Sequence, residues 1–333
     1  MAADMRASTL SIGRRKSEEA DAAASHDFEA AVTAGLSKPQ KELPSRFFYD
    51  SAGSALFEEI THLPEYYLTR TETELLNAHA GEMIGDLPKD GVLVEFGSGS
   101  SRKTEILLRH APRGVTYVPI DVSGSALVAA RRRLAARFPD LDIRPAVGDF
   151  SAPLRLEGDL AVRPKVGFFP GSTIGNLAPA KAVVLLRSFR AVLSGESRLI
   201  VGVDLRKDER RLVAAYDDAA GVTAAFNLNL LRRINRELGA AINLATFRHR
   251  ALYNPHEGRI EMHLVSSVAQ DVRIAGRHFH FQAGESIHTE NSYKYTVAQF
   301  REMAREAGWQ PTKVWIDADQ TFSIHELSAP ATR

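Results

Sequence analysis

The stretch Gly91 to Lys103, GVLVEFGSGSSRK, constrains the chain more than any other. Its apolar run Val92-Leu93-Val94 ends in Glu95, Gly97 and Gly99, and a helix-forming run, Thr104 to His110, follows. A strand, a glycine turn and a helix in that order make a nucleotide-type site. Glycines let the backbone approach a ligand closely, and a helix N-terminus presents free N–H groups. The spacing is acidic-x-Gly-x-Gly. Arg102 stands where the third glycine of a dinucleotide fold would be, which argues against a nicotinamide-dependent dehydrogenase.

Strands and helices alternate from here. Val92 to Phe96 reads as the first strand and Lys103 to His110 as its helix. Val115 to Val122 is a second strand ending in Asp121, and Ser125 to Phe138 a helix. Ile143 to Val147 is a third strand, running into Gly148-Asp149-Phe150. Val166 to Phe169 is a fourth, ending in GSTIGN. Ala180 to Leu193 is a helix and Arg198 to Leu205 a fifth strand. Such alternation predicts a parallel sheet with helices on both faces. Ligands of these sheets bind beyond the carboxyl ends of the strands. Glu95, Gly97, Asp121, Asp149 and Asn176 all fall there, and Asp121 lies about 20 residues past the glycine turn, where an acidic side chain meets a ribose. A strand-end Asp can also simply cap a helix, as Asp121 before Ser123 could, but several such ends coincide.

Outside this core the pattern changes. Leu43 to Leu76 is dense in aromatics, with Tyr49-Asp50 and Tyr66-Tyr67 expected in turns. Ser54 is expected to cap a helix Ala55 to Thr61, and Thr71 with Glu74 resembles a capping box for the next helix. Lys207 to Glu237 reads as nearly continuous helix broken at Gly221. Arg259 to Ser267 and Val272 to Phe281 alternate like antiparallel strands, and GESIHTENSYKYT carries more polar side chains than a connection needs. The chain closes with a helix Val297 to Ala307, a Gly308 stop, a strand Thr312 to Ile316, the turn DADQ and a strand Phe322 to Leu327. A final helix and hairpin after five alternating strands predict a seven-stranded sheet with one reversed strand, the arrangement of class I methyltransferases that use S-adenosylmethionine. The expected fold is therefore α/β, a Rossmann-like class I methyltransferase sheet with an inserted α+β substrate-binding domain. Residues 71–207 and 296–333 are assigned to the cofactor-binding domain, 26–70 and 208–295 to the substrate-binding domain, and 1–25 to a flexible N-terminus.

Composition narrows the classes. A net charge of +1 gives no field for nucleic acid or an anionic membrane, so neither is expected as a partner. The chain has no cysteine, which removes disulfides, thiolate metal sites and a cysteine nucleophile. No apolar stretch approaches the ~20 residues of a membrane span, and no signal peptide is evident. A cytoplasmic monomer is the expectation. His278 and His280 alternate in a strand without an obvious set of further ligands, so no metal site is expected.

The blocks LPSRFFYDSAGSALFEEITHLPEYYLTRTE, VEFGSGSSRKT, PIDVSGSAL, FFPGSTIGN, GVDLRKD, AYDDAAGVTAAFNLNLLRRINRELGA, RIEMHLVS and GESIHTENSYKY, in this order, resemble the histidine-specific methyltransferases of the ergothioneine pathway. The resemblance covers roughly Leu43 to Leu327. It implies transfer of three methyl groups from S-adenosylmethionine to the α-amino group of L-histidine, giving hercynine. It places Tyr66, Gly97, Lys103, Asp121, Asp149 and Phe150 at the cofactor. It sets Asn176 and Tyr49 near the α-amino group as the catalytic pair, Tyr216 at the carboxylate, Glu290 and Ser292 at the imidazole and Met262 packed beside it. Read without the resemblance, Asn176 could cap the next helix, Tyr216 could pack in a helix and Met262 could be core. A methyltransferase for another amino acid or small amine is the alternative, and a non-catalytic partner on the same fold a further one.

Overall fold

The computed structural model describes residues 26–150 and 154–329; the expected flexible N-terminus, 1–25, lies outside the described residues. The chain divides into two compact units.

One unit comprises Pro64–Leu212, Asn254–Arg259 and the chain from Asn291 onward. Its sheet runs in the order Gln310–Ile316, Phe322–Ala329, Ser197–Asp204, Lys165–Phe169, Val92–Phe96, Thr116–Asp121, and last the two short pieces Asp142–Ile143 and Ala146–Val147. Every pairing from Ser197–Asp204 to the short pieces is parallel. Phe322–Ala329 is antiparallel to both neighbours and is the one reversed strand, as the terminal hairpin predicted. The strands are apolar and buried on both faces, as parallel sheets require.

Alternation along the strands assigns the two faces. Val92, Val94, Phe96, Leu199, Val201 and Val203 join one core cluster with Phe189 of the helix Pro179–Leu193 and with Phe300 and Ala304 of Val297–Glu306. Phe189 stacks on Phe96 with centroids 3.9 Å apart. On the other face the helix Tyr67–Ile84 comes so close that a Cβ on Gly202 would stand 2.0 Å from Glu72 Oε1. The chain starts at the central strand Val92–Phe96, winds outward, then returns to its other side with Lys165–Phe169. The sheet's switch point thus lies at the carboxyl end of Val92–Phe96, where this architecture places ligands.

The other unit holds the described residues up to Leu63, Val213–Tyr253 and Ile260–Glu290. A four-stranded sheet runs Lys41–Glu42, Ser286–Tyr293, Arg259–Ser266, Phe247–Asn254. A separate hairpin pairs Gln270–Ile274 with Arg277–Phe281. The helices Ser51–Ile60 and Val222–Leu238 pack together, and Phe48 stacks on Phe226 at 4.5 Å.

Several local expectations are corrected. The third strand is split because Pro145 has no N–H to give the ladder. The helix Tyr67–Ile84 already includes Thr71, which is buried inside it rather than capping it; burial of Tyr67 and Leu68 extends the helix beyond its local cap signal. Asp50, not Ser54, caps the preceding helix, accepting from Gly53 N at 2.7 Å. The break in the long helical region spans Ala215 to Gly221, not Gly221 alone, because Asp218 accepts from Val222 N (3.0 Å) and Thr223 N (2.7 Å) and starts a new helix. GESIHTENSYKYT contains a full strand, Ser286–Tyr293, and Phe247–Asn254 is a strand that the sequence reading left unassigned.

Candidate active site

The glycine turn is built as its spacing implied. Gly97 and Gly99 have φ of +72° and +48°, a region costly for residues with a Cβ. A Cβ on Gly97 would meet Phe150 Cε1 at 3.0 Å, whereas one on Gly99 would meet nothing within 4 Å. The turn is tied to the second strand. Gly97 N and Ser98 N donate to Ile120 O at 2.9 and 3.1 Å, and Gly99 N donates to Asp121 Oδ2 at 2.8 Å. Asp121 Oδ1 accepts from Ser123 N at 2.8 Å. An ionised carboxylate has about four lone-pair sites, so Asp121 can serve the turn and still accept from a diol.

Below the turn, Glu95 is 1% exposed. Tyr117 donates to its carboxylate and lies 2.9 Å from Ser101 Oγ. Burial pushes the Glu95 pKa up to about 7 against the hydrogen bonds that favour its charged form. The buried Ser98 hydroxyl has no hydrogen-bond partner within the described residues. An open loop over Gly99, an orphaned hydroxyl and an accepting carboxylate together fit a polar ligand such as the methionine and ribose parts of S-adenosylmethionine.

Lys103, in the helix Arg102–Leu108, is held by Glu72, which is 0% exposed. Both Glu72 oxygens also accept from Gly171 N at 2.9 Å. This fixes the GSTIGN loop beside Lys103, and a Cβ on Gly171 would lie 3.7 Å from Lys103 Nζ. Asn176 ends the short 3₁₀ turn of that loop. It does not cap the next helix, whose N-cap is Ala178 with Pro179 following. Gly175 lies close against Tyr293 of the same unit, where a Cβ would stand 2.8 Å from Tyr293 O. Asp149 is exposed and Phe150 half-buried, edge-on to Phe169 at 5.5 Å. Tyr66 is buried at the start of Tyr67–Ile84.

In the other unit, Tyr49, Tyr216 and Glu290 come together. Tyr49 follows the 3₁₀ turn Ser45–Phe48, and its ring stands edge-on to Phe57 (5.5 Å) and Phe226 (5.8 Å). Tyr49 is 44% exposed as a residue, and desolvation raises its pKa above the usual phenol range, with the charges of Glu290 and Tyr216 adding to this. The upward direction leaves Tyr49 a neutral phenol near pH 7. Tyr216 lies in the turn after Glu209–Ala214 rather than in a helix, and its carbonyl accepts from His249 Nε2 at 2.8 Å. Met262 is 1% exposed and its carbonyl accepts from Thr289 Oγ1 at 3.0 Å.

Ser292 is buried and takes a hydrogen bond from Lys294 Nζ at 2.8 Å. Lys294 in turn pairs with Asp204 at 2.6 Å.

Sequence reasoning missed Glu72, Asp204, Lys207 and Lys294. Glu72 was findable, because helical spacing puts it on the stripe of Leu68, Leu75 and Leu76. Asp204 also was, because it ends the fifth strand as Asp121 ends the second. Lys294 gave no signal beyond its place between two tyrosines.

The sheet order, its reversed strand and the glycine turn with its carboxylate define a class I, S-adenosylmethionine-dependent methyltransferase. The family of histidine-specific, S-adenosylmethionine-dependent methyltransferases matches residues 28–329, and the chain belongs to it. It is 43% identical to a histidine N-alpha-methyltransferase of Mycolicibacterium smegmatis over 88% of this chain and 92% of that one. It is 40% identical to a histidine N-alpha-methyltransferase of Mycobacterium tuberculosis, again over 88% and 92%. An N-methyltransferase of Aspergillus flavus is 29% identical over 89% of this chain and 83% of its own. Among the described residues, no helix is long and apolar enough to cross a membrane.

Proposed function

We propose that this chain transfers three methyl groups in succession from S-adenosylmethionine to the α-amino group of L-histidine, giving hercynine. The observation that carries the reading is the gathering of Tyr49, Tyr216 and Glu290. A neutral phenol and a carboxylate together suit a ligand that carries both an amine and an imidazole N–H. Membership of a histidine-specific family supports the same substrate.

In this reading Gly97 gives room for the methionine end of the methyl donor, and Lys103 pairs with its carboxylate. Asp121 accepts from the ribose hydroxyls. Asp149 takes the adenine amino group and the Phe150 N–H an adenine nitrogen, with Tyr66 closing the site. Tyr216 holds the histidine carboxylate. Glu290 accepts from the imidazole N–H, Ser292 contacts its other nitrogen, and Met262 packs beside the ring. A site with buried polar partners strongly penalises an analogue lacking their counterparts.

S-adenosylmethionine supplies an already activated methyl group, so the chain's part is positioning and exclusion of water. Tyr49 and Asn176 orient the amine. Because the Tyr49 phenol stays protonated, it acts as a hydrogen-bond partner and not as a strong base, and protons leave through solvent. The cofactor is assigned to residues 71–207 and 296–333 and histidine to 26–70 and 208–295. A cytoplasmic monomer completes the reading, and light scattering of the purified chain tests the oligomeric part.

Mass spectrometry of L-histidine incubated with the protein and S-adenosylmethionine tests the activity. Successive gains of one, two and three methyl groups on the α-nitrogen are expected. No gain, with the methyl donor still bound, would move the substrate to another amino acid or small amine.

A further inference from the structure

Tyr216 stands in an irregular turn, Ala215 to Gly221, with neither helix nor strand ladder to fix it. Its carbonyl accepts from His249 Nε2 at 2.8 Å. His249 belongs to the strand Phe247–Asn254, and its side chain is 1% exposed. Asn227, in the helix Val222–Leu238, is 0% exposed. Its Nδ2 lies 2.9 Å from His249 Nδ1 and 3.2 Å from His263 O. Tyr216, Asn227, His249 and His263 all belong to one unit.

Matching donors to acceptors fixes each hydrogen in this series. A carbonyl only accepts. His263 O therefore faces an N–H of Asn227, which turns the amide with Nδ2 toward His249. The amide keeps this orientation although its Oδ1 has no hydrogen-bond partner within the described residues. The second Nδ2 hydrogen points at His249 Nδ1, which must be bare to accept it. Tyr216 O in turn requires the ring hydrogen on Nε2. His249 is thus neutral and held in one tautomer. Burial favours the same state, lowering its pKa against the nearby charges of Asp217 and Asp218. Any donor, water included, could satisfy the Tyr216 carbonyl. A buried ring locked by a second residue, itself locked by a third, does more, because it defines where the peptide sits.

We propose that His249, locked by Asn227, is a positioning residue that fixes Tyr216 for the carboxylate of the substrate. This rests on the assignment of Tyr216 to that carboxylate. His249 acts through the Tyr216 peptide and not by contact with the substrate.

Calorimetric titration of L-histidine into the full chain saturated with S-adenosylhomocysteine tests this in wild type, Tyr216→Phe, His249→Phe and the double variant. Tyr216→Phe keeps the peptide and the ring and should weaken histidine binding by about tenfold or more. His249→Phe should weaken it about five- to tenfold, with affinity for S-adenosylhomocysteine within about twofold of wild type. Once the Tyr216 hydroxyl is gone, loss of His249 should cost nothing further, so the double variant should bind histidine as Tyr216→Phe does. His249→Gln can still present an N–H to Tyr216 O and should recover affinity to within about threefold of wild type. Effects that multiply in the double variant would make His249 a packing residue and overturn the proposal. Unchanged affinity in His249→Phe, or a His249→Gln as weak as His249→Phe, would overturn it too. Unchanged affinity in Tyr216→Phe would instead overturn the carboxylate assignment beneath it. Should His249→Phe not fold, His249→Asn, whose shorter side chain stops short of Tyr216 O, takes its place under the same criteria.

Discussion

The ammonium of Lys103 is clamped by the fully buried carboxylate of Glu72, which also receives the N–H of Gly171 at 2.9 Å. One carboxylate thus fixes both the helix start after the glycine turn and the loop after the fourth strand. Lys103→Met should strand a buried charge and cost about 3–5 kcal/mol of stability, besides weakening binding of the methyl donor. Adding Glu72→Gln should restore much of the stability, since the amide oxygen still accepts from Gly171, but not the binding. Thermal unfolding and cofactor titration of the single and double variants separate the two roles. Equal recovery of both would remove Lys103 from the cofactor site.

Tyr49→Phe deletes one hydroxyl while leaving the ring contacts with Phe57 and Phe226. Turnover should fall about tenfold, the size of one lost hydrogen bond, with affinity for S-adenosylmethionine nearly unchanged. Because burial, then Glu290 and Tyr216, hold the phenol protonated, the wild-type rate should show no alkaline limb that disappears in this variant. Single-turnover rates across pH check both statements; unchanged turnover would exclude Tyr49 from the chemistry.

Gly97→Ala places a Cβ 3.0 Å from the Phe150 ring at a φ of +72°. The left-handed backbone alone costs roughly 1–2 kcal/mol, and the ring must also move. Affinity for the methyl donor should drop more than tenfold, as read by titration. Gly99→Ala shares the backbone strain, but its Cβ meets nothing within 4 Å, so in the ligand-free protein it should destabilise less. Equal loss of melting temperature in the two would discount the Phe150 contact.

Glu95 should make stability fall as pH rises. Its folded pKa, raised by burial to about 7, exceeds its unfolded value near 4.3. The folded state therefore holds the proton more tightly. The advantage is full below about pH 4 and is lost as pH climbs through about 7, by on the order of 3 kcal/mol. Glu95→Gln should flatten this slope. Denaturant melts at pH 5 and 8 measure it, and a slope equal to wild type in the variant would assign it to another group.

His325 should act in the opposite direction. Burial, then Arg301, lowers its pKa to about 3, while its unfolded value is near 6.5. Its share of stability is complete above about pH 6.5 and falls away toward pH 3 as the unfolded chain gains the proton. His325→Phe should lose acid sensitivity in that range, read from denaturant melts between pH 4 and 6. A steeper acid loss in the variant would reverse the assignment.

The sequence determined a great deal here because its signals are local. An apolar run ending in Glu95-Phe96-Gly97 can only be a buried strand turning at glycine, and Gly97 and Gly99 duly take positive φ. The alternation up to Ser197–Asp204 fixed a parallel sheet, and the closing hairpin fixed one reversed strand. Family likeness, carried by long motifs in order, supplied the substrate class before any geometry did.

Tertiary structure decided what depends on partners far apart in the chain. Whether Thr71 caps or lies inside a helix turned on the burial of Tyr67 and Leu68, which no four-residue pattern contains. The pairs Glu72–Lys103 and Asp204–Lys294, and the meeting of Tyr49 with Glu290, join residues that periodicity treats independently. A lone charged side chain reads as solvated surface until packing removes its water. Burial then forces it to find a partner, and the identity of that partner is set by the fold and not by sequence spacing.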